Sequence, residues 1–110
     1  MNDKFYLVED DDTGEQKLFA NRINAIYYMF EQCQKMNAIL YPTDLPSRSL
    51  DVLYPNITHR KMYLFGLDTK AINNVFEGYY YLTELAVEDY THSEATEALK
   101  NSEIGVDTSN

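Results

Sequence analysis

The chain has 110 residues and a formal net charge of −9, with 18 acidic side chains against 9 basic ones. Its hydrophobic content of 45% is typical of a globular domain, and its single cysteine excludes both an intramolecular disulfide and a cysteine-rich zinc site. No apolar stretch approaches the roughly 20 residues that span a membrane, and the first residues lack the apolar core of a signal peptide. We therefore expect one small cytoplasmic domain without membrane contact.

The first predicted element is a β-hairpin. Two apolar, β-prone runs at 4–9 and 16–20 flank the turn-forming sequence DDDTG, in which Gly14 can adopt a positive φ. This turn also resembles a calcium-binding loop, but with Gly14 at the sixth position the twelfth is Ala20, where a bidentate Glu is required. We therefore expect an acidic hairpin tip without a metal ion, and no cofactor elsewhere in the chain.

The second predicted element is an amphipathic helix. Asn21 is a favourable N-cap, and apolar residues recur with a helical period from residue 22 to about residue 40. On a helical wheel they share one broad arc, which contains Ile23, Ile26, Tyr27, Met29, Phe30, Cys33, Met36 and Leu40. This arc predicts the core-facing side of the helix, with Cys33 as a buried structural thiol rather than a nucleophile.

Residues 41–60 contain all three prolines and show little periodicity. They predict a long connection, with one short strand or turn near residues 50–54. The apolar sequence KMYLFGL at 61–67 then predicts the third strand of the sheet.

A second main helix is predicted from Asp68 or Thr69 to about residue 90. Its apolar arc separates cleanly from a polar face on which four residues recur at i, i+4, i+7 and i+11. These are Glu77, Tyr81, Glu84 and Glu88. Gly78 is unfavourable inside a helix and the three tyrosines after it favour β structure, so a helix break with a strand at 79–83 is the alternative.

The sequence THSE at 91–94 fits a capping box for a short terminal helix that ends near residue 100. Residues 102–110 are predicted to form a flexible tail. The element order therefore predicts a single α+β domain over residues 1–101. In it, a small antiparallel sheet is packed by two main amphipathic helices and the short terminal helix.

Charge is unevenly distributed along the chain. Residues 1–16 carry −5 and residues 71–110 carry −7, whereas residues 17–70 carry +3. Such a chain is repelled by nucleic acid and anionic lipid, and is attracted to basic protein surfaces. Rows of carboxylates can also stand in for backbone phosphates, although a solvated face kept acidic for solubility is the alternative.

We therefore expect a non-enzymatic inhibitor that occupies a basic, nucleic-acid-binding surface of a partner protein, as a monomer or small homo-oligomer. In size and charge the chain is similar to inhibitors that phages and mobile elements direct against host defence enzymes. The predicted contact residues combine the hairpin tip, the acidic helical face and tyrosine anchors. They are Asp10, Asp11, Asp12, Glu77, Tyr80, Tyr81, Glu84 and Glu88.

The sequence is also consistent with two other functions. One is a structural or assembly protein, such as a virion or scaffold component, that self-associates through the hairpin edges or through Tyr80 and Tyr81. The other is a phosphotransfer domain, because the sequence resembles response-regulator receiver domains. LVEDDD at 7–12 is similar to the end of their first strand, Asp51 stands before a proline at the phosphoacceptor spacing, and Thr83 and Lys100 follow in order.

That resemblance implies phosphorylation at Asp51. The sequence departs from the receiver pattern in three places. Asp51 follows Arg-Ser-Leu rather than an apolar strand, Lys100 has no proline after it, and residues 14–20 favour a strand rather than a helix. The chain has no nucleophile elbow, phosphate-binding loop or HExxH pair. We therefore expect no enzymatic activity.

Overall fold

The computed structural model describes residues 4–86. Its strands are β1 (Lys4–Asp10), β2 (Gln16–Phe19) and β3 (Tyr80–Ala86). Its helices are α1 (Arg22–Lys35), α2 (Leu50–Leu53), α3 (Ile57–Phe65) and α4 (Thr69–Val75). The three strands form one sheet in the order β2-β1-β3, with both neighbouring pairs antiparallel. This arrangement confirms the predicted α+β fold with a small antiparallel sheet.

The N-terminal hairpin is confirmed. β1 and β2 pair from Tyr6↔Phe19 to Glu9↔Gln16, and the turn between them contains Gly14 at φ +75°. A positive φ is easily adopted by glycine, which explains why the chain can reverse there.

Helix α1 begins where it was predicted to begin but ends earlier. The Asn21 side chain accepts hydrogen bonds from the backbone N–H groups of Ile23 and Asn24 and so caps the first turn. The helix stops at Lys35 because Asn37 adopts a left-handed conformation with φ +56°. Most of the predicted apolar arc is buried, including Leu40 beyond the end of the helix, whereas Tyr27 is half-buried and Ile23 and Met36 are exposed.

The predicted strand at 61–67 is wrong, because these residues belong mainly to α3. The Asn56 side chain accepts hydrogen bonds from the backbone N–H groups of Thr58 and His59, which starts a helix at Ile57. The connection before it also differs from the prediction near residues 50–54. Its short element is the helix α2, anchored by the buried Leu50.

The predicted helix from residue 68 or 69 to about residue 90 is also wrong from residue 76 to residue 86, the last residue that the structure describes. Asp68 caps it by accepting a hydrogen bond from the Ala71 backbone N–H, but α4 ends at Val75. Gly78 adopts φ +89°, and the chain then enters β3. The third strand of the sheet is therefore residues 80–86, which was the alternative reading of this segment.

One face of the sheet forms the hydrophobic core with the helices. Val8, Leu82, Phe19 and Tyr80 are buried on the sheet side, and they pack in the same cluster as α1 and α4 residues. The main helical members are Ile26, Met29, Phe30, Cys33, Ile72, Val75 and Phe76. This core holds α1 across the sheet and α4 beside β3.

The predicted terminal helix at 91–100, the tail at 102–110 and Glu88 lie outside the described residues. The sheet also differs from what the receiver resemblance implies. Both of its strand pairs are antiparallel, and Asp51 lies exposed in the first turn of α2 rather than at the end of a strand.

Candidate partner-binding site

The acidic hairpin tip lies next to the start of β3. Asp10 pairs with Tyr80 in the sheet, and the Asp11 backbone N–H donates to the Tyr79 carbonyl at 3.0 Å. The loop that carries Glu77 therefore meets the hairpin turn at one end of the sheet. We call this region the acidic end, and its carboxylates are those of Glu9, Asp10, Asp11, Asp12, Glu15 and Glu77.

The three aspartates of the tip differ in what their carboxylates do. Asp10 Oδ1 accepts hydrogen bonds from the backbone N–H groups of Asp12 at 2.8 Å and Thr13 at 3.0 Å, so it shapes the turn. Asp11 and Asp12 are exposed. Within residues 4–86 their carboxylates have no ion-pair partner and accept no hydrogen bond. Asp11 and Asp12 are thus available to a partner, whereas Asp10 is committed to the fold.

Two tyrosines next to the acidic end, Tyr80 and Tyr28, have raised pKa values. Burial, followed by the neighbouring Tyr28 and Asp10, raises the pKa of Tyr80 to about 12. Burial also raises the pKa of Tyr28, with further contributions from Glu15 and Asp10. Both phenols therefore remain neutral at physiological pH. The net charge of the acidic end is set by its carboxylates.

A basic side chain also lies near this end. Lys17 follows the hairpin turn on β2, and its Nζ lies 4.9 Å from the centroid of the Tyr28 ring. This cation–π contact holds the ammonium over the aromatic ring. Within the residues that the structure describes, Lys17 makes no salt bridge with the acidic end, which is therefore left strongly negative.

Only one of the two predicted tyrosine anchors is at the surface. Tyr81 is 57% exposed and pairs with Glu9 on the neighbouring strand. Tyr80 is 6% exposed and lies in the core, so its predicted role as a surface anchor is wrong. Successive side chains of a strand point to opposite faces, which explains why these neighbours differ so strongly.

The three described members of the predicted acidic helical face do not lie on a helix. Glu77 lies in the loop before β3, whereas Tyr81 and Glu84 lie on β3 and point to opposite faces of the sheet. Glu84 is also four residues farther along the strand than Tyr80, a separation of roughly 13 Å. It therefore does not belong to the acidic end.

Glu84 has its own partners. Its Oε1 lies 3.0 Å from Lys4 Nζ, and its other oxygen accepts a hydrogen bond from the Thr69 hydroxyl. The hydrogen bonds from Thr69 and Lys4 hold the pKa of Glu84 below its usual value. These contacts fasten β3 to β1 and to α4, which is a structural role.

The sequence did not indicate the role of Asn73. Its Nδ2 donates to the Leu82 carbonyl at 2.9 Å, and its Oδ1 accepts from the Leu82 backbone N–H at 2.7 Å. The carboxamide thus bonds the outer edge of β3 as a neighbouring strand would. Local patterning places Asn73 on the polar face of a helix and carries no signal for this contact.

Two depressions open near these elements. One, of about 380 Å³, is a groove between α4 and β3, lined by Thr69, Lys70, Asn73 and residues 81–84. The other, of about 230 Å³, lies between the end of α1 and helices α2 and α3, with Asp51 and Arg60 in its wall. Cys33 offers no reactive thiol, because burial raises its pKa to about 12.

Comparison of the chain with protein-family models, with curated proteins and with solved structures finds no match. Within residues 4–86, no helix has the length and apolar character needed to cross a bilayer. The same part of the chain has no group of three His, Cys, Asp or Glu side chains placed to hold a metal ion.

Proposed function

We propose that this protein is a non-enzymatic binding module that uses its acidic end to occupy a basic surface of a partner protein. The observation that carries the proposal is the position of Asp11 and Asp12, whose exposed carboxylates have no cationic partner within residues 4–86. Tyr81, exposed on the strand beside them, supplies a rigid apolar contact with a polar tip.

Electrostatics supports a basic protein rather than a nucleic acid as the partner. Residues 9–15 contain five carboxylates and no basic side chain, and Glu77 adds a sixth at the same end. Clustered like charges raise the local potential and speed the encounter with a surface of opposite sign. A partner surface rich in Lys and Arg commonly serves to bind phosphates. The proposed effect is inhibition, in which the acidic end takes the place of nucleic acid, as a phage or mobile-element inhibitor would require.

Charge reversal at the tip tests this function. The protein captures its partner from a bacterial lysate, and the affinity for the purified partner is then measured by calorimetry for the wild type and for Asp11→Lys/Asp12→Lys. We expect about a hundredfold loss of affinity, because two attractive contacts become repulsive. We also expect the wild type to displace nucleic acid from the partner.

The matched control is Asp44→Lys/Asp51→Lys. These two aspartates are also exposed, but they lie outside the sheet in the segment that precedes α3. The control changes the net charge by the same amount and should bind within a few fold of the wild type. Equal losses in both double variants would mean that net charge alone matters, and would refute a site at the acidic end.

Exposed apolar side chains away from the sheet favour a second candidate, self-association as an assembly protein. Ile39 is 56% exposed, Val52 61% and Met62 65%. Such side chains are common at contacts between protein subunits. Sedimentation at increasing concentration distinguishes the candidates, because an assembly subunit forms a defined oligomer whereas charge repulsion keeps the proposed inhibitor small. The triple variant Ile39→Ser/Val52→Ser/Met62→Ser should dissolve such an oligomer.

A further inference from the structure

The face of the sheet that points away from the core carries a row of three paired side chains. Gln16, Glu9 and Tyr81 lie directly opposite one another across β2, β1 and β3. Directly paired residues share one face of a sheet, and the neighbouring Val8 and Leu82 point into the core on the other face. We call these three residues the outer row. It crosses all three strands at the acidic end.

Glu9 gives the outer row its charge. The other side chains that alternate onto this face within the three strands are uncharged, and they are Phe5, Leu7, Gln16, Leu18, Tyr81, Thr83 and Leu85. Gln16 Nε2 donates to Glu9 Oε1 at 3.1 Å, which orients the carboxylate. Within residues 4–86 the Glu9 carboxylate forms no ion pair, and its Oε2 accepts no hydrogen bond. The carboxylate is thus held in place with its charge uncompensated.

Tyr81 adds an open aromatic ring beside that carboxylate. It is 57% exposed, and the Cβ atoms of directly paired residues lie about 5 Å apart. Tyr27 and Tyr28 each hold a lysine ammonium over the ring, with Nζ 4.7 Å and 4.9 Å from the ring centroids. Tyr81 has no such cation in the described part of the chain, although Lys70 lines the groove along the same strand. Its ring face remains available to a cation from outside.

We infer that the partner presents an arginine to the outer row, with its guanidinium stacked on the Tyr81 ring and hydrogen-bonded to the Glu9 carboxylate. The inference rests on the proposed function and names the side chain that the acidic end recognises. The methylene stem of the arginine packs on Leu7, which is half-buried two residues along β1 on the same face. The acidic hairpin tip next to the row attracts the basic surface around this arginine.

The outer row suits arginine better than lysine. A guanidinium is planar, so it can lie flat on an aromatic ring while its N–H groups reach a carboxylate at the edge of that ring. The Glu9 carboxylate, oriented by Gln16, supplies acceptors beside Tyr81 for such a fork. A lysine ammonium is compact and strongly hydrated, and it stacks on no surface. The row therefore distinguishes two side chains of equal charge.

The test compares two peptides of equal charge on the wild-type protein. The probes are acetyl-(Arg-Gly)3-amide and acetyl-(Lys-Gly)3-amide, titrated into the millimolar range and followed by NMR. We expect the arginine peptide to bind about fivefold more tightly or better. The ring protons of Tyr81 should shift on binding and show contacts to the arginine side chain.

Two variants, each with a matched control, locate the preference. Tyr81→Thr should bring the two peptides to within about twofold of each other, whereas Tyr41→Thr should leave the preference unchanged. Tyr41 is also exposed, at 46%, but lies outside the sheet. Glu9→Gln should weaken the arginine peptide more than Asp51→Asn does, because both remove one charge but Asp51 lies in α2. If a variant does not fold, the two peptides decide the question on the wild type.

The outcomes separate this inference from the proposed function. The inference is overturned if the arginine peptide does not bind, if the two peptides bind equally, or if the preference survives Tyr81→Thr. Equal loss of the preference in Tyr41→Thr also overturns it. In each case, loss of partner affinity in Asp11→Lys/Asp12→Lys would still support a basic partner surface. Conversely, an arginine preference that Tyr81→Thr abolishes, with unchanged partner affinity in the double variant, would support the arginine site and refute the role of the hairpin tip.

Discussion

The two ends of β3 carry acidic side chains that the fold treats in opposite ways. At one end, Glu84 pairs with Lys4 and accepts a hydrogen bond from Thr69. At the other end, Asp11 and Asp12 stand exposed in the hairpin turn, where the Asp11 backbone bonds to Tyr79, and have no cationic partner within residues 4–86. Within the described residues, the Glu84 carboxylate therefore stabilises the fold, whereas the carboxylates of Asp11 and Asp12 remain available to a partner. Changes at the first end should affect stability, and changes at the second should affect binding.

The largest effect on stability is expected for Asn73→Ala, at the structural end. Leu82 is 1% exposed, and both of its outward backbone groups lose their partner when the carboxamide is removed. Each unsatisfied buried group costs about 1–3 kcal/mol, so the free energy of unfolding should fall by about 2 kcal/mol or more. Urea denaturation measures this change. If Asn73→Ala lowers the free energy of unfolding no more than does Asn74→Ala, which removes a hydrogen bond to Thr43 instead, the two hydrogen bonds between Asn73 and Leu82 contribute little to stability.

At the binding end, Tyr81→Thr should reduce partner affinity about tenfold while stability stays nearly constant. Tyr81 is 57% exposed, and exposed tyrosines at interfaces commonly contribute this much. Threonine retains the preference for a strand, so the substitution removes the ring without disturbing β3. Calorimetry with the purified partner and a thermal melt give the two values. A destabilised variant with unchanged affinity would reverse the assignment of the two ends.

Within the tip itself, Asp10→Ala and Asp12→Ala should behave differently. Asp10 accepts two backbone hydrogen bonds in the turn, and their loss should lower the free energy of unfolding by about 1 kcal/mol. The Asp12 carboxylate makes no such contact, so its removal should affect partner binding rather than unfolding. Denaturation of the two variants side by side makes the comparison. Equal unfolding energies would mean that the carboxylate of Asp10 is not needed for the turn.

The smallest effect is expected for Glu84→Gln, and it should depend on pH. The pKa of Glu84 is held below 4.5 in the folded state by its hydrogen bonds from Thr69 and Lys4. Its contribution to stability is therefore present at neutral pH and is lost as pH falls through the folded-state pKa. Glu84→Gln should be less stable than the wild type by less than about 1 kcal/mol at pH 7, and equally stable in acid.

Thr69→Val offers a check on the cause. Because the Thr69 hydroxyl is the first contributor to the lowered pKa of Glu84, its removal should shrink the pH-dependent difference between wild type and Glu84→Gln. Denaturation curves between acid and neutral pH measure this. A difference that persists unchanged in the Thr69→Val background would assign the effect to Lys4 alone.

Local signals predicted the elements that depend on a cap or a turn. Asn21 caps α1, Asp68 caps α4 and Gly14 turns the hairpin, and each acts within a few residues of its own position. The errors arose where two local signals competed. At residues 61–67 the apolar aromatic sequence favoured a strand, whereas Asn56 capped a helix that already included most of them. Asn56 was the local signal in the sequence for that helix.

The second error is the helix predicted beyond Val75, and it also arose from two competing local signals. Gly78 and the tyrosines after it favoured a break and a strand, but helical spacing of the apolar residues outweighed them in the prediction. The deciding interaction is the pairing of β3 with β1, which joins Lys4 to Ala86 and Asp10 to Tyr80. Contacts between residues so far apart in the chain have no local signature. These contacts also determine which acidic residues lie close together. Local patterns therefore predicted only the hairpin tip as a cluster, and not its proximity to the loop that carries Glu77.

The salt dependence of partner binding tests the central claim most directly. The affinity of the wild type and of Asp11→Lys/Asp12→Lys for the purified partner is measured from about 50 to about 500 mM NaCl, where the screening length falls severalfold. We predict that wild-type affinity decreases at least about tenfold over this range and that the double variant binds weakly throughout. A wild-type affinity that does not change with salt, or a double variant that binds as tightly as the wild type, would contradict the proposal.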